Sequence, residues 1–211
     1  MIFRRFMLGA AASIPVLTAM VGAAHAQVAP SAAEAKAFVT QSGDKLVAIV
    51  NGNESDTQKA NELRQLINQI VNVDQVAHYV LGRYNDIATP AQKQTFQGLF
   101  RQLLSYNITY QIRSYKGVSF VVDGTTPQGN DIVVNTTIAS PGKAPAPVGW
   151  VVDNEAGQLK IIDVIAAGTS LRITTRNDYA GVIADNGGQV SALLNAMQHQ
   201  INKISATQAT D

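Results

Sequence analysis

The spacing of hydrophobic residues changes twice along the chain. Up to about residue 115, apolar side chains recur every three or four residues, which is typical of amphipathic helices. From Gly117 to Ile165 they recur with a period of two, which is typical of strands. The helical spacing returns after Ser170. The pattern therefore predicts one sheet with helices before and after it, an α+β fold.

Five shorter helices are predicted from the helical spacing and from residues suited to helix ends. Ser55, followed by Gln58 at the capping-box position, begins the second. Asp74 is a candidate N-cap for the third, which ends at Gly82 because glycine readily takes the conformation that terminates a helix. Gly43 is a weak point inside the first. The predicted bounds are 31–50, 55–71, 74–82, 170–185 and 189–204.

The longest predicted helix follows a strong start signal. Thr89 stands at the N-cap, Pro90 at the first helical position and Gln92 at the capping-box position. Beyond it, one stripe of the helix is apolar and rich in aromatic residues. This stripe is either the core face of the domain or the wall of a pocket, and it comprises Phe96, Leu99, Phe100, Leu103, Asn107 and Tyr110.

Four strands are predicted in the central part of the chain, over residues 118–122, 132–138, 148–152 and 159–165. Short Gly-, Pro- and Asn-containing connections favour an antiparallel meander. Both sides of these strands are partly apolar, since Val121, Val133, Val151, Ile162 and Val164 lie on the opposite parity to the main apolar positions. A sheet that is apolar on both faces must be covered twice or must hold a ligand on one side.

Residues 1–26 are predicted to be a secretory signal peptide. Arg4 and Arg5 precede an uncharged run over 6–21, and Ala24-His25-Ala26 matches an A-x-A cleavage site before Gln27. The two arginines also resemble a twin-arginine signal, so both export routes stay open. We therefore expect a periplasmic protein made of one domain over 27–205 and a flexible tail over 206–211.

Composition narrows the choice of partners. Loss of Arg4 and Arg5 lowers the basic count from 16 to 14 against 15 acidic residues, a net charge of −1. This balance and the absence of a basic stripe argue against a nucleic-acid partner. The chain has no cysteine, so neither a lipid-anchoring cysteine nor disulfides are available and a packed core must provide the stability.

No catalytic or metal-binding motif is evident. The predicted mature chain has two histidines, His78 and His199, far apart in sequence. Asp163 lies within an apolar strand, where pairing with Arg172 or Arg176 is the favoured role over that of a catalytic acid. We expect neither a metal nor an organic cofactor.

Two blocks of sequence resemble the MlaC family of periplasmic phospholipid-binding proteins, also called toluene-tolerance auxiliary transport proteins. The first is Val-Leu-Gly-Arg-Tyr at 80–84, followed by Ala-Thr-Pro-Ala-Gln at 88–92, Phe96, Phe100 and Tyr106. The second runs from Lys160 to Gly188 and contains Lys-Ile-Ile-Asp-Val at 160–164, Gly168, Ser170-Leu171, Arg176, Tyr179 and Gly187-Gly188.

The chain departs from the family pattern at three places. Asn85 and Leu159 stand where the family usually has Trp, and Thr174-Thr175-Arg176 replaces Asn-Tyr-Arg. These differences leave the lipid class open, and the related HpnM proteins associated with hopanoid synthesis are an alternative.

The resemblance implies a carrier rather than an enzyme. Its partners would be a phospholipid, an inner-membrane ABC transporter complex and an outer-membrane lipoprotein complex, and its role would be to maintain outer-membrane lipid asymmetry. We expect a monomer in which four antiparallel strands curl against several helices, in a cone similar to the NTF2-like superfamily. An apolar pocket between the sheet and the long helix would take the acyl chains, lined by Phe96, Phe100, Leu103, Tyr106, Tyr110, Val134, Trp150, Val152, Ile162 and Val164.

Two other interpretations are kept. An NTF2-like enzyme would use Asp163 or His78 in its pocket, and turnover of a small substrate would identify it. A structural adaptor with a filled core would have no cavity large enough for an acyl chain.

Overall fold

The computed structural model describes residues 29–110 and 115–208, with side chains over 29–107 and 115–206. The predicted signal peptide and the end of the predicted tail lie outside these ranges. The described helices are α1 (Ala32–Asn51), α2 (Asp56–Ile70), α3 (Val73–Leu81), the 3₁₀ turn η1 (Gly82–Asn85), α4 (Pro90–Tyr110), α5 (Leu171–Asp185) and α6 (Val190–Gln208). The strands are β1 (Ser119–Gln128), β2 (Asp131–Ala139), β3 (Ala146–Glu155), β4 (Gln158–Ala166) and β5 (Thr169–Ser170).

Capping boxes fix the starts of three helices. In α4 the Gln92 N–H donates to Thr89 Oγ1 (3.2 Å) and the Thr89 N–H donates to Gln92 Oε1 (2.9 Å). The same reciprocal pairs form at Ser31 and at Ser55. Each box satisfies backbone N–H groups that a helix start would otherwise leave unpaired. The predicted beginnings of the second helix and of the long helix are confirmed.

The predicted cap of α3 is wrong. Asn72 caps this helix, because its Oδ1 accepts from the Gln75 N–H at 3.0 Å. Asp74 instead accepts from Arg101 of α4 at 2.6 Å, an ion pair that joins the two helices on the surface. Gly82 ends α3 with a φ of +54°, as glycine at this position predicts.

The sheet is an open antiparallel meander in the order β1-β2-β3-β4-β5. The α+β class and the meander are confirmed, but the described residues form five strands rather than four. The additional strand, β5, is two residues long and pairs with Ile165 and Ala166 of β4. Strand periodicity cannot detect an element of this length.

The hydrophobic core is divided between the helices and the sheet. One cluster joins α3, η1, α4, α5 and α6, and within the described residues it contains no strand residue. A second cluster joins α1 to β2 and β3. A third joins α1, α2 and Val118, with Leu104 of α4 and Ile138 of β2 at its margin. The sheet therefore meets the helical layer chiefly through α1.

Candidate functional site

We call the sheet surface that α1 covers the inner face. Ala35 and Val39 of α1 pack there on Val134 and Val152, and all four are buried. Trp150 lies on the same face in β3, and its Cα partner in β4 is Val164. Cross-strand partners in an antiparallel pair project to the same face. The inner face is thus apolar from its α1-covered part to Trp150 and Val164.

Burial along the inner face is uneven. Val134 and Val152 are almost completely inaccessible, whereas Val148 and Trp150 are half-buried in the interior strand β3 and Val164 is half-buried opposite Trp150 in β4. Farther along β2, Ile138 belongs to the cluster margin that also contains Leu104 of α4. Val148, Trp150 and Val164 therefore form an apolar, half-buried strip of the inner face beside the part that α1 covers.

A buried hydrogen bond ties Trp150 to the sheet. Its indole Nε1–H donates to Thr136 Oγ1 at 3.0 Å, and the Thr136 hydroxyl donates to the Val148 carbonyl at 2.9 Å. Thr136 is 1 % exposed. The predicted site did not include this residue, although a Thr at an inner-facing position between Val134 and Ile138 is the signal that could have identified it.

The predicted long-helix residues lie in the helical cluster. Phe96 stacks on Phe100 at 5.8 Å between ring centroids and meets the edge of Tyr179 of α5 at 6.0 Å. Phe96, Phe100 and Leu103 are buried and Tyr106 packs at the margin. Helix α4 packs on α6, α2 and α3. These four residues share a cluster with each other but not with the inner face.

Nine of the ten predicted site residues fall into three groups. Four belong to the helical cluster, and Val134, Trp150 and Val152 belong to the inner-face cluster, where Val164 is opposite Trp150. Ile162 belongs to a third cluster with Val133 and Val151 on the other face. The side chain of Tyr110 lies outside the described residues.

A β-bulge explains why Ile162 and Val164 separate. The register shifts between Val151 and Val152, which pair with Asp163 and Ile161 respectively. Ile162 is the extra residue, and beyond it the alternation of β4 is reversed. Strict alternation predicts that Val164 lies on the same face as Val151. The observed pairing shows that this prediction is wrong, because Val164 is opposite Trp150.

Asp163 is fully engaged in holding the start of α5. Its side chain is 4 % exposed, and its oxygens accept from the Ser170 hydroxyl (2.5 Å) and from the backbone N–H groups of Val164 (2.8 Å) and Arg172 (3.0 Å). Arg172 Nε lies 3.4 Å from Asp163 Oδ2, at ion-pair distance but without hydrogen-bond alignment. The predicted pairing of Asp163 with Arg172 is confirmed, and this carboxylate is not free to act on a substrate.

The second arginine named with Asp163 has another role. Arg176 lies with its guanidinium carbon 5.2 Å from the Tyr79 ring centroid, and Arg172 lies at 4.5 Å from the same ring. An arginine over an aromatic ring is attracted by the negative face of the ring. These contacts join α5 to α3.

Two partly buried groups have raised pKa values. Burial raises the pKa of Asp131, the Asp153 carboxylate raises it further, and Arg172 opposes the shift. Burial and the neighbouring Asp178 raise the pKa of Tyr179. In the part of the chain that the structure describes, no group of three or more His, Cys, Asp or Glu side chains could hold a metal.

An open groove of about 340 Å³ lies elsewhere, between α1 and α2. It is lined by Lys45, Ala48, Ile49, Glu62, Gln65, Leu66 and Gln69. None of these belongs to the predicted site, and a groove of this kind is a poor match for an acyl chain. Among the described helices, none combines the length and the apolar character needed to cross a membrane.

Known proteins resemble this chain over most of its length. It is 24 % identical to the intermembrane phospholipid transport system binding protein MlaC of Haemophilus influenzae, over 79 % of this chain and 81 % of that protein. It is 23 % identical to toluene tolerance protein ttg2D of Pseudomonas putida, over 100 % of this chain and 95 % of that protein.

A solved structure shares the fold. It is a phospholipid-binding protein from Ralstonia solanacearum in complex with a phospholipid, with a TM-score of 0.71 and 23 % identity, covering 81 % of this chain and 98 % of the other. The family model described as MlaC protein matches residues 40–199, which is more than half of the chain. The chain therefore belongs to the MlaC family.

Proposed function

We propose that this protein is a periplasmic carrier that moves phospholipid between an inner-membrane ABC transporter complex and an outer-membrane lipoprotein complex, and so maintains the lipid asymmetry of the outer membrane. Family membership supports the proposal, as do a relative named for intermembrane phospholipid transport and a neighbour of the same fold that holds a phospholipid. The predicted signal peptide supports the periplasmic location.

The observation that carries the proposal is the half-burial of Trp150 and Val164. Trp150 lies in the interior strand β3 and Val164 lies opposite it in β4, on the same face as Val134 and Val152, which α1 seals. Apolar side chains in the middle of a sheet are normally packed. A space lined by such side chains suits a ligand that is itself apolar.

The energetics require a nearly complete enclosure of the chains. Two acyl chains of roughly 16 carbons left in water would cost on the order of 20 kcal/mol at ~0.8 kcal/mol per CH₂. A lipid headgroup can stay hydrated at the mouth. The binding surface we propose comprises Trp150, Val164 and their buried neighbours Val134 and Val152. Phe96, Phe100, Leu103, Tyr106 and Tyr110 would line it only if the helical cluster opens towards the sheet.

Identification of co-purifying lipid tests the proposal. The protein is purified from the periplasm without added lipid, extracted with organic solvent, and the extract is analysed by mass spectrometry. We expect glycerophospholipid at close to one molecule per protein. A hopanoid in its place would support the alternative ligand class, and an extract without lipid would refute carriage.

Two neighbouring residues provide a matched pair of variants. Val164 and Ile165 are both half-buried aliphatic residues of β4, but Val164 is opposite Trp150 whereas Ile165 joins the cluster on the other face. We expect Val164→Arg to lose bound phospholipid and Ile165→Arg to retain it. Equal lipid content in two folded variants would contradict the assignment of the inner face.

Transfer between membranes is tested separately. Wild-type protein loaded with labelled phospholipid is mixed with vesicles that carry a reconstituted inner-membrane transporter complex. We expect labelled lipid to leave the protein faster with these vesicles than with protein-free vesicles of the same composition. Equal rates would argue against a shuttle that depends on partner complexes.

A further inference from the structure

Thr136 presents a hydroxyl group inside an apolar surface. It lies in β2 on the inner face and is 1 % exposed. Burial of a hydroxyl is costly unless its hydrogen-bonding groups are satisfied. Here the oxygen accepts from Trp150 Nε1 at 3.0 Å and the hydrogen is directed to the Val148 carbonyl at 2.9 Å. A valine of the same shape would avoid this cost, so the hydroxyl is the part of Thr136 that calls for an explanation.

The register shows how the hydrogen bond directs the indole. Thr136 is the Cα partner of Val148, whereas Trp150 is the Cα partner of Val134. The bond from Trp150 therefore runs diagonally from β3 to β2. The indole must lean across the two strands instead of standing perpendicular to the sheet, as an unconstrained strand side chain would.

The direction in which the Trp150 indole leans determines which strands of the inner face it lies over. The indole nitrogen is a donor only, and in an apolar surrounding an unpaired N–H is unfavourable. Thr136 supplies the acceptor on the β2 side, away from Val164 of β4. The hydrogen bond consequently directs the indole nitrogen towards β2 and away from Val164 of β4.

We propose that Thr136 is a positioning residue for lipid binding, because its hydroxyl holds the Trp150 indole against the sheet and keeps the space over β3 and β4 open for an acyl chain. The inference rests on the proposed function and adds a residue to its site. Thr136 acts through Trp150, by selecting the side-chain conformation in which the indole forms the floor of the space.

The chain contains one tryptophan, so indole fluorescence reports on this position alone. Thr136→Val keeps the shape and removes the hydroxyl, and Thr136→Ser keeps the hydroxyl. Thr137→Val is the matched control, since Thr137 of the same strand also loses a hydrogen bond, from its hydroxyl to Asp123 Oδ2 (2.8 Å). Each variant is measured for emission maximum, acrylamide quenching, bound phospholipid per protein and urea midpoint.

We expect Thr136→Val to raise acrylamide quenching of the indole and to raise the Kd for phospholipid about fivefold, the factor that corresponds to one net hydrogen bond, so that the lipid content falls when phospholipid is supplied below saturation. Thr136→Ser should restore both quantities. Thr137→Val should match the wild type in quenching and in phospholipid content, even if its urea midpoint falls as far as that of Thr136→Val. A purely structural role for Thr136 would change the urea midpoint and the quenching without changing the phospholipid content.

Trp150→Phe provides a second route if Thr136→Val fails to fold. It removes the indole N–H and leaves the bond between Thr136 and Val148 in place. A lipid content equal to that of the wild type in this variant, or unchanged quenching in Thr136→Val, would overturn the inference. Neither result contradicts the proposed function, provided that the wild type carries phospholipid. A wild type without phospholipid would overturn the proposed function itself and the purpose assigned to Thr136.

Discussion

Gly43 allows α1 to approach the sheet closely. It lies within α1, and a Cβ added to it would overlap Cζ and Cε1 of the Phe120 ring in β1. Atoms cannot remain this close, so Gly43→Ala must displace the Phe120 ring. The glycine that weakens the helix in the sequence pattern is therefore required by packing.

Two opposing effects set the sign of this substitution. Alanine is more favourable than glycine in a helix by ~1 kcal/mol. Forcing an extra carbon into a packed contact costs about 1 to 3 kcal/mol. Phe120 is half-buried, so its ring can move towards solvent but then loses its contact with α1. We expect a net loss of about 1 kcal/mol in the free energy of unfolding, measured as a lower urea midpoint at an unchanged denaturant slope.

A double-mutant cycle isolates the contact. In a Phe120→Ala background the obstruction is absent, and Gly43→Ala should stabilise the protein by ~1 kcal/mol, so that the coupling is about 2 kcal/mol. Gly98→Ala in α4 is the control, because nothing lies within 4 Å of a Cβ at Gly98, and we expect it to stabilise. The reasoning is refuted if Gly43→Ala has the same sign with and without Phe120.

Three further predictions concern other elements. Gly82→Val should lower the stability by about 1 to 3 kcal/mol, because a β-branched residue is strained at a φ of +54° and its Cβ would stand 2.7 Å from Arg176 Nε. Lipid exchange with vesicles should be unchanged, and faster exchange at equal melting temperature would instead indicate a lid. Asp131→Asn should raise the thermal stability at pH 7, because burial raises the pKa of this carboxyl and the folded state loses stability as the pH rises through that raised pKa. The difference in stability between the variant and the wild type should vanish below the ordinary aspartate pKa. A difference that stays constant from that pH up to pH 7 would exclude titration of Asp131 as the cause. Asp163→Asn should lower the free energy of unfolding, measured by chemical denaturation, by about 3 kcal/mol, because it leaves Arg172 without its carboxylate. A variant as stable as the wild type would contradict the role of Asp163 in holding the start of α5.

The sequence is sufficient to predict helix starts where the signal is local. The boxes at Ser55 and Thr89 involve residues three positions apart, and nothing distant competes for their side chains. The start of α3 differs, since Asn72 and Asp74 are both suitable caps. The choice depends on Arg101, which is 27 residues away and pairs with Asp74. A local pattern contains no information about that partner.

The sheet was predictable as a meander but not in its register. Alternation gives the face of each residue only while the pairing is regular, and the bulge at Val151 and Val152 reverses it along β4. Ile161 and Ile162 are both apolar, so the sequence contains no break that marks the extra residue. One inserted residue was enough to place Ile162 and Val164 on opposite faces.

The predicted pocket residues separate for a more general reason. Periodicity identifies the side of an element that avoids water, but it does not identify the layer that this side meets. The stripe of α4 with Phe96 and Leu103 is matched by a stripe of α6 with Leu193 and Met197, and the two seal each other. Trp150 and Val164 are no more apolar than these residues, yet they are less buried. Under the proposed function, a lipid-lining residue differs from a core residue in its partner and not in its chemistry, and incomplete burial is the property that makes Trp150 and Val164 the candidates.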